Sequence, residues 1–253
     1  MVGKHPLRIR IVTPLCDVSE EQRRATLAEV VQFTDLGIEF DIVALAAGPA
    51  SIENPIDDAL AAPQVVVEAL KAEQAGIDAV IIDCMGDPGL MPAREAVSIP
   101  VVGPGEASLH FAAMMGHRVG CVSVLESVRP MLFAHARAYG LAEKLVSVRT
   151  IDVPVLEIEH NLAKLSELLY LESHRMIVQD RVDTIVLGCT GFLGVADELE
   201  QRLRTEANYR VPVISPLPAA ALLAASMVWG GLRHSRRAYP QADRTRLPLV
   251  ISQ

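Results

Sequence analysis

The sequence feature that most constrains the fold is an alternation repeated in both halves of the chain. Short aliphatic segments of strand length are separated by longer amphipathic segments of helix length. This alternation is typical of a mostly parallel sheet with helices on both faces, so the predicted class is α/β. The predicted strands are residues 8–13, 39–44, 79–82, 101–102, 119–124, 145–151, 184–187 and 213–214.

The two halves also match residue by residue around two cysteines. Residues 77–84 parallel residues 182–189, and each segment is an aliphatic strand that ends at a cysteine before a glycine-containing turn. Downstream, residues 99–104 parallel 211–216, and each leads into an alanine-rich helix. Upstream, Thr13 and Ser123 occupy equivalent strand ends. Alternation of strands and helices alone does not require a cysteine at the same strand end in both halves.

A repeat of this length is too long for a solenoid unit and predicts two similar lobes. We expect two parallel-sheet lobes of flavodoxin-like type, related by a pseudo-twofold axis, with the active site in the cleft between them. The expected first lobe is discontinuous, because the last helix closes back on it. The predicted domains are residues 1–103 with 217–233, residues 104–216, and a C-terminal tail at 234–253.

Composition excludes several classes of protein. A net charge of −8 over 253 residues argues against binding to nucleic acid, which needs a surplus of basic side chains. The apolar run at 211–232 is interrupted by prolines that leave a helix of about 14 residues, whereas spanning a bilayer takes about 20. Arg8 and Arg10 break the apolar stretch that a signal peptide would need. We expect a cytoplasmic protein with a small-molecule substrate, no membrane partner and a homo-oligomeric state.

The four cysteines lack the CxxC spacing of a zinc site, and no metal is expected. Cys84 and Cys189 end equivalent strands, where ligands collect in open α/β sheets, so both are expected to point into one cleft. A helix starting after each turn would favour the thiolate form. Cys16 and Cys121 have no mirrored partner at a strand end and are interpreted as structural.

Two thiols on opposite sides of a bound carbon suit removal of a proton from one face and delivery of a proton to the other. This is racemisation or epimerisation, with one cysteine as thiolate and the other as thiol. The carbanion would be held as an enolate by backbone N–H groups of the turns and by hydroxyls such as that of Thr190. The lysines lie at the terminus or on polar helical stretches, so pyridoxal phosphate is not expected and no cofactor is predicted.

Four motifs carry a resemblance to a known family. They are residues 83–90 (Asp-Cys-Met-Gly-Asp-Pro-Gly-Leu), 103–107 (Gly-Pro-Gly-Glu-Ala), 188–192 (Gly-Cys-Thr-Gly-Phe) and 48–53 (Gly-Pro-Ala-Ser-Ile-Glu). Together they resemble the aspartate/glutamate racemase superfamily, and within it the hydantoin racemase branch. The resemblance implies cofactor-independent two-base racemisation by Cys84 and Cys189, on a hydantoin or a related cyclic ureide such as allantoin.

The residues predicted to contact substrate lie at the strand ends and in these motifs. They are Thr13, Ser51, Met85, Gly86, Ser123, Thr190 and Gly191. Some depart from the branch: Thr13-Pro14-Leu15 stands where hydantoin racemases usually have Asn-Pro-Asn, and Thr190 replaces a common alanine. Asp83 is expected to point away from Cys84 by strand alternation and to cap a helix. Asp87 is interpreted as a turn former.

Other activities remain open at this stage. Relatives on the same scaffold racemise amino acids, isomerise maleate or decarboxylate arylmalonates. The alternative from a different class is a two-lobed small-molecule binding protein without chemistry, which would need no paired thiols.

Overall fold

The computed structural model describes residues 6–243, and within that range eight strands form two four-stranded sheets. The first sheet contains β1 Leu7–Thr13, β2 Ile38–Ala44, β3 Ala79–Ile82 and β4 Val101–Val102. The second contains β5 Val119–Ser123, β6 Leu145–Thr150, β7 Thr184–Leu187 and β8 Val213–Ile214. Each strand lies within one residue of its predicted bounds at either end.

Helices separate the strands. They are α1 Glu20–Ala28, α2 Pro55–Gln74, α3 Leu90–Ala96, α4 Pro104–Met115, α5 Arg129–Ala138, α6 Leu162–Asp180, α7 Ala196–Glu206 and α8 Pro216–Trp229. Short 3-10 helices at Val31–Leu36, Glu126–Val128 and Val155–His160 complete the connections.

The two sheets have the same topology. Their strand orders are β2-β1-β3-β4 and β6-β5-β7-β8, and every pairing is parallel. The central strands β1 and β3, and their counterparts β5 and β7, are buried over almost their whole length because aliphatic side chains point to both faces. The predicted α/β fold of two similar parallel-sheet lobes is confirmed.

Two equivalent helices cross between the lobes. Helix α4 follows the first sheet but packs on β7, β5 and β8 of the second. Helix α8 follows the second sheet but packs on β3, β4 and β1 of the first, where its alanines share a core cluster with Ile9 and Ile11. The two helices also pack against each other, since alanine-rich faces allow close approach. Because each of these helices packs on the sheet of the other half of the chain, the pair joins the two lobes. The exact domain boundaries stay a prediction.

The sequence predicts one helix over residues 19–36, opened by a capping box of Ser19 and Gln22 and followed by Gly37 just past its end. The capping box is confirmed, with the Ser19 hydroxyl accepting from the Gln22 N–H and the Gln22 side chain accepting from the Ser19 N–H. The single helix expected over 19–36 is wrong, because α1 ends at Ala28 and a 3-10 helix follows. The break coincides with Glu29, whose carboxylate accepts from Gly194 N–H and Ser215 Oγ of the other half of the chain.

The last described segment packs on the first lobe. His234 Nε2 accepts from the Val101 N–H, and Arg236 donates to the Val97 carbonyl. The whole tail 234–253, polar and basic before an apolar stretch at 247–251, is predicted from the sequence to be a subunit-binding arm or a disordered end. Its residues 244–253, which include that apolar stretch, lie outside the described residues. Over residues 6–243, no helix is both long enough and apolar enough to cross a membrane.

Candidate active site

A cavity of about 240 Å³ lies between the carboxyl ends of the two sheets. Both lobes contribute to its wall. The wall is formed by strand ends and turns from each lobe, by the segment that follows β1, and by the segment that precedes α6. Its lining includes Thr13, Cys84, Met85, Gly86, Ser123, Cys189, Thr190 and Gly191. Within the described part of the chain, no lysine, arginine or histidine lines it.

Two cysteine turns face each other across this cavity with the same local geometry. The Gly86 N–H donates to Cys84 Sγ at 3.4 Å, and the Gly191 N–H donates to Cys189 Sγ at 3.3 Å. Each donor comes two residues after its cysteine, so the sharp turn after the strand folds the backbone back onto the sulfur. Both thiols are free and partly buried.

Burial dominates the acidity of the thiols. It raises the pKa of Cys189 to about 12, and it raises the pKa of Cys84 well above its ordinary value. The bonds from Gly191 and Gly86 act in the opposite direction but are outweighed. The expectation that helix N-termini make the thiols acidic is therefore wrong, since α3 and α7 begin several residues after the cysteines.

Hydroxyl groups tie together the floor of the cavity. Thr13 Oγ1 donates to Asp83 Oδ2 at 3.3 Å, and Thr190 Oγ1 donates across the cleft to the Asp83 carbonyl at 3.3 Å. In the second lobe, Ser123 Oγ donates to the Gly188 carbonyl at 2.9 Å. Each hydroxyl already has a protein acceptor, so it would have to exchange that bond to donate to a substrate oxygen.

Asp83 differs from its predicted role. Instead of capping a helix, its carboxylate accepts from Thr13, and the residue lines the cavity beside Cys84. It is 8% exposed, and burial raises its pKa to about 6. Its Oδ1 atom is buried and has no hydrogen-bond partner among the described residues.

Asp87 serves the scaffold rather than the cavity. Its carboxylate accepts from the N–H groups of Gly105 and Glu106 at the start of α4, and from the Tyr139 hydroxyl at 2.6 Å. Burial raises the pKa of Asp87 to about 7. These bonds fasten the first cysteine turn to α4 and to α5 of the second lobe.

A loop from the first lobe is fastened across the cavity mouth. Glu53 Oε1 accepts from the Val155 N–H at 2.7 Å, and the Glu53 carbonyl accepts from Ser127 Oγ at 2.6 Å. Ala50 and Ile52 on one side, and Leu156 on the other, line the cavity. The negative charge of Glu53 also raises the pKa of Cys189.

Comparison with known proteins identifies the family of the chain. Residues 16–224 match the family model described as Asp/Glu/hydantoin racemase. The chain belongs to that family.

Individual members of the Asp/Glu/hydantoin racemase family match over most of the chain. A hydantoin racemase from Pseudomonas sp. (strain NS671) is 38% identical over 75% of this chain and 74% of its own length. The solved allantoin racemase from Klebsiella pneumoniae is 30% identical, with a TM-score of 0.86 over 94% of both chains. The allantoin racemase from Pseudomonas fluorescens is 28% identical, with a TM-score of 0.82 over 94% of this chain and 97% of its own. These proteins are isomerases.

Within this family fold, both predicted catalytic cysteines and six of the seven predicted contact residues line the cavity. Ser51 is the exception: its neighbours Ala50 and Ile52 line the cavity, and Ser51 is not among the described lining residues. Met85 and Ser123 are almost fully buried in the lining. The roles of all these residues toward substrate stay predictions.

Several lining residues escaped the sequence analysis. Gln22 and Thr26 reach the cavity from α1, and Met131 and Leu132 reach it from α5. Apart from the capping box that includes Gln22, no motif marks them, because their position at the cavity depends on how the helices pack. Cys16 was interpreted as structural, and it also lines the cavity, with its thiol donating to the Gly48 carbonyl at 3.1 Å. Within residues 6–243, no group of three or more metal-ligating side chains is arranged to hold an ion.

Proposed function

We propose that this protein is a cofactor-independent racemase of a neutral cyclic ureide, such as a 5-substituted hydantoin or allantoin, with Cys84 and Cys189 as its two bases. The observation that carries the proposal is the pair of matched cysteine turns on one cavity that, over the described lining, has no basic side chain. The likeness to hydantoin and allantoin racemases supports the same reaction.

The proposed reaction removes a proton from one face of the ring carbon and delivers a proton to the opposite face. The thiolate of one cysteine takes the proton from the ring carbon and becomes a thiol, while the C–H electron pair moves into the adjacent carbonyl to form an enolate. The opposite thiol then gives its proton to the other face of that carbon and becomes the thiolate. The opposite enantiomer runs the same sequence with the two cysteines exchanged.

The high thiol pKa values are compatible with this chemistry. A carbon flanked by a carbonyl and a ring nitrogen is a weak acid, and a thiolate of high pKa is a strong base for it. Burial keeps most of the enzyme in the neutral form, so only a small fraction carries the reactive thiolate at neutral pH. Charge on Cys189 also raises the pKa of Cys84, which opposes ionisation of both thiols together.

The lining favours a neutral substrate over a carboxylate. Asp17 and Asp83 line the cavity, and no cationic side chain in the described lining balances them. A dicarboxylate or an amino-acid carboxylate would lose its hydration there without gaining an ion pair. This charge balance argues against amino-acid racemisation, maleate isomerisation and arylmalonate decarboxylation.

The test follows hydrogen exchange at the ring carbon. Single enantiomers of several 5-substituted hydantoins and of allantoin are incubated with the protein in D₂O, and loss of the carbon-bound proton is measured by NMR together with optical rotation. We expect both to change together, at rates above the uncatalysed reaction. Parallel samples contain aspartate, glutamate, maleate and an arylmalonate. Turnover confined to these carboxylates would contradict the substrate class, and no turnover of any compound would favour a non-catalytic binding protein.

A further inference from the structure

Two equivalent residues, one in each half of the chain, bond to the cysteine turn of the opposite half. Glu29 is the C-cap residue of α1, and Tyr139 is the C-cap residue of α5. They lie equally far along the chain from Thr13 and Ser123, which end the equivalent strands β1 and β5. The repeat therefore pairs a carboxylate in the first half with a phenol in the second.

The Tyr139 contact holds the turn that follows Cys84. The Tyr139 hydroxyl donates to Asp87 Oδ2 at 2.6 Å. The Asp87 N–H donates to the Cys84 carbonyl at 3.0 Å, which closes the turn, and Asp87 is 5% exposed. A hydroxyl of the second lobe is thus bonded to the turn that carries the cysteine of the first.

The Glu29 contact holds the turn that follows Cys189. Glu29 Oε1 accepts from the Gly194 N–H at 2.6 Å, and Oε2 accepts from the Ser215 hydroxyl at 3.2 Å. Gly194 is placed after Cys189 as Gly89 is placed after Cys84, and the two glycines have φ values of 70° and 72°. A carboxylate of the first lobe is thus bonded to the turn that carries the cysteine of the second.

The two contacts join the same places with different chemistry. In the first turn the carboxylate belongs to the turn itself, as Asp87, and the opposite lobe supplies the hydroxyl of Tyr139. The position equivalent to Asp87 in the second turn is Phe192, an apolar residue that is 1% exposed. There the opposite lobe supplies the carboxylate, and Glu29 bonds directly to the backbone of the turn. The connection is therefore present on both sides although the bonding groups differ.

We propose that Tyr139 and Glu29 are positioning residues for the two thiols, Tyr139 for Cys84 and Glu29 for Cys189. Helices α5 and α1, which end at these residues, also contribute to the cavity wall. Each helix therefore links the wall beside the substrate to the cysteine turn of the other lobe, and the two contacts together set the separation of the sulfurs across the cavity. The kinetic part of this inference rests on the proposed function, whereas the placement of the thiols can be measured without a substrate.

Displacement of one thiol has a kinetic effect that depends on the enantiomer. The two enantiomers have equal free energy, so kcat/KM falls equally in both directions whichever thiol moves. The primary deuterium isotope effect differs. It rises for the enantiomer whose proton the displaced thiol removes, because cleavage of that C–H bond becomes slower than the later steps. It falls for the other enantiomer, because cleavage by the intact thiol then precedes a slower return of the proton.

The kinetic test uses Tyr139→Phe and Glu29→Ala with both enantiomers of a 5-alkylhydantoin, each carrying hydrogen or deuterium at the ring carbon. We expect kcat/KM to fall about 10-fold in each variant, as displacement of a reacting group by a fraction of 1 Å requires. The isotope effect on kcat/KM should rise for one enantiomer and fall for the other. The enantiomer for which it rises should be opposite in the two variants.

A second test reads the position of each thiol directly. The free protein is treated with iodoacetamide, and alkylation of Cys84 and Cys189 is followed separately by mass spectrometry of their peptides. Both thiols are partly buried, so a loosened turn exposes its sulfur more often and speeds its reaction. Tyr139→Phe should speed alkylation of Cys84 and leave Cys189 at the parental rate. Glu29→Ala should have the reverse effect.

Matched variants separate contact across the lobes from general damage. Tyr209→Phe removes a hydroxyl outside the described cavity lining, and Glu198→Ala removes a carboxylate that accepts from Ser166 of its own lobe. Both should keep the alkylation rates and isotope effects of the parent.

Glu29→Gln separates the bond from the charge. The charge of Glu29 also raises the pKa of Asp83, and Glu29→Gln removes that charge while keeping an oxygen that can accept from the Gly194 N–H. Its changes should be in the same direction as those of Glu29→Ala but smaller. It also serves as the test variant if Glu29→Ala does not fold.

The outcomes that overturn the inference are distinct from failure of the proposed function. Isotope effects that change for the same enantiomer in both variants, or that stay parental in both, would show that the contacts do not position separate thiols. Equal acceleration of both cysteines by either variant would show general loosening of the cleft and would also overturn it. If the parent racemises no hydantoin, the proposed function fails, and the alkylation rates alone decide whether each contact places its own thiol.

Discussion

Gly188, the residue before the second cysteine, offers a direct test of how closely the floor is packed. A Cβ atom added there would lie 2.6 Å from Ser123 Cβ and 2.8 Å from both Cys121 Sγ and the Val122 carbonyl oxygen. All three distances are shorter than real Cβ contacts, all three atoms belong to the central strand β5, and one of them is a backbone oxygen. Gly188→Ala therefore requires movement of the β7 turn, not adjustment of a flexible side chain.

The expected cost follows from this crowding. Overpacking a well-packed core by one methyl group costs about 1–3 kcal/mol, and we expect the upper part of that range because backbone is involved. For a chain of this size, 2–3 kcal/mol corresponds to a fall in Tm of about 5–10 °C. Movement of the turn also displaces Cys189, and misplacement of a catalytic group by about 1 Å lowers kcat/KM about 100-fold.

The assay combines thermal unfolding with racemisation kinetics, and Gly191→Ala provides the matched comparison. The Cβ of that variant would lie 3.4 Å from Cys189 Sγ and from Ile158 Cδ1, which is ordinary contact. We expect its Tm to stay within about 2 °C of the parent. A Gly188→Ala protein with the Tm and kcat/KM of the parent would refute the packing of the floor as described.

Three further predictions follow from the charges around the cavity. Because burial raises the pKa of both thiols, the thiolate fraction should still be growing between about pH 6 and 9. Over that range log kcat/KM should rise by about one unit per pH unit, and a plateau from pH 7 would contradict this prediction. Glu53→Gln removes a negative charge that raises the pKa of Cys189, so kcat/KM at pH 7 should increase; Ser127→Ala, which loosens the same loop without a charge change, should not produce this increase. Burial raises the pKa of Asp87 to about 7, so between about pH 4 and 7 the folded protein keeps a proton that the unfolded chain loses. The free energy of unfolding, measured with urea, should therefore fall from pH 4 to 7, and it should fall more steeply in the parent than in Asp87→Asn.

The sequence was sufficient for the elements whose signals are local. Each buried strand is a short aliphatic run, and the capping box of Ser19 and Gln22 lies within four residues, so these features were predicted almost to the residue. The equivalence of Cys84 and Cys189 could be predicted because the chain contains an internal repeat, which allows its two halves to be aligned with each other. That comparison shows equivalent positions without requiring knowledge of how the lobes pack.

The errors share a different origin, which is contact between distant segments. Helix α1 stops where Glu29 meets Gly194 and Ser215, about 165 and 186 residues away in sequence. The thiols are less acidic than expected because burial, a property of the assembled cleft, outweighs the two local N–H bonds. Strand alternation did not give the role of Asp83, whose carboxylate bonds to Thr13, 70 residues earlier in the chain.

The central claim is that the two thiols act on opposite faces of one carbon, and exchange with single enantiomers in D₂O tests it most directly. Cys84→Ser and Cys189→Ser are each expected to lose racemisation in both directions by about 100-fold or more, while Cys121→Ala, which changes a buried thiol outside the cavity, racemises like the parent. Each serine variant should still exchange the ring proton of one enantiomer without inverting it, and the two variants should select opposite enantiomers. Exchange of the same enantiomer by both variants, or racemisation at the parental rate by either, would contradict the account.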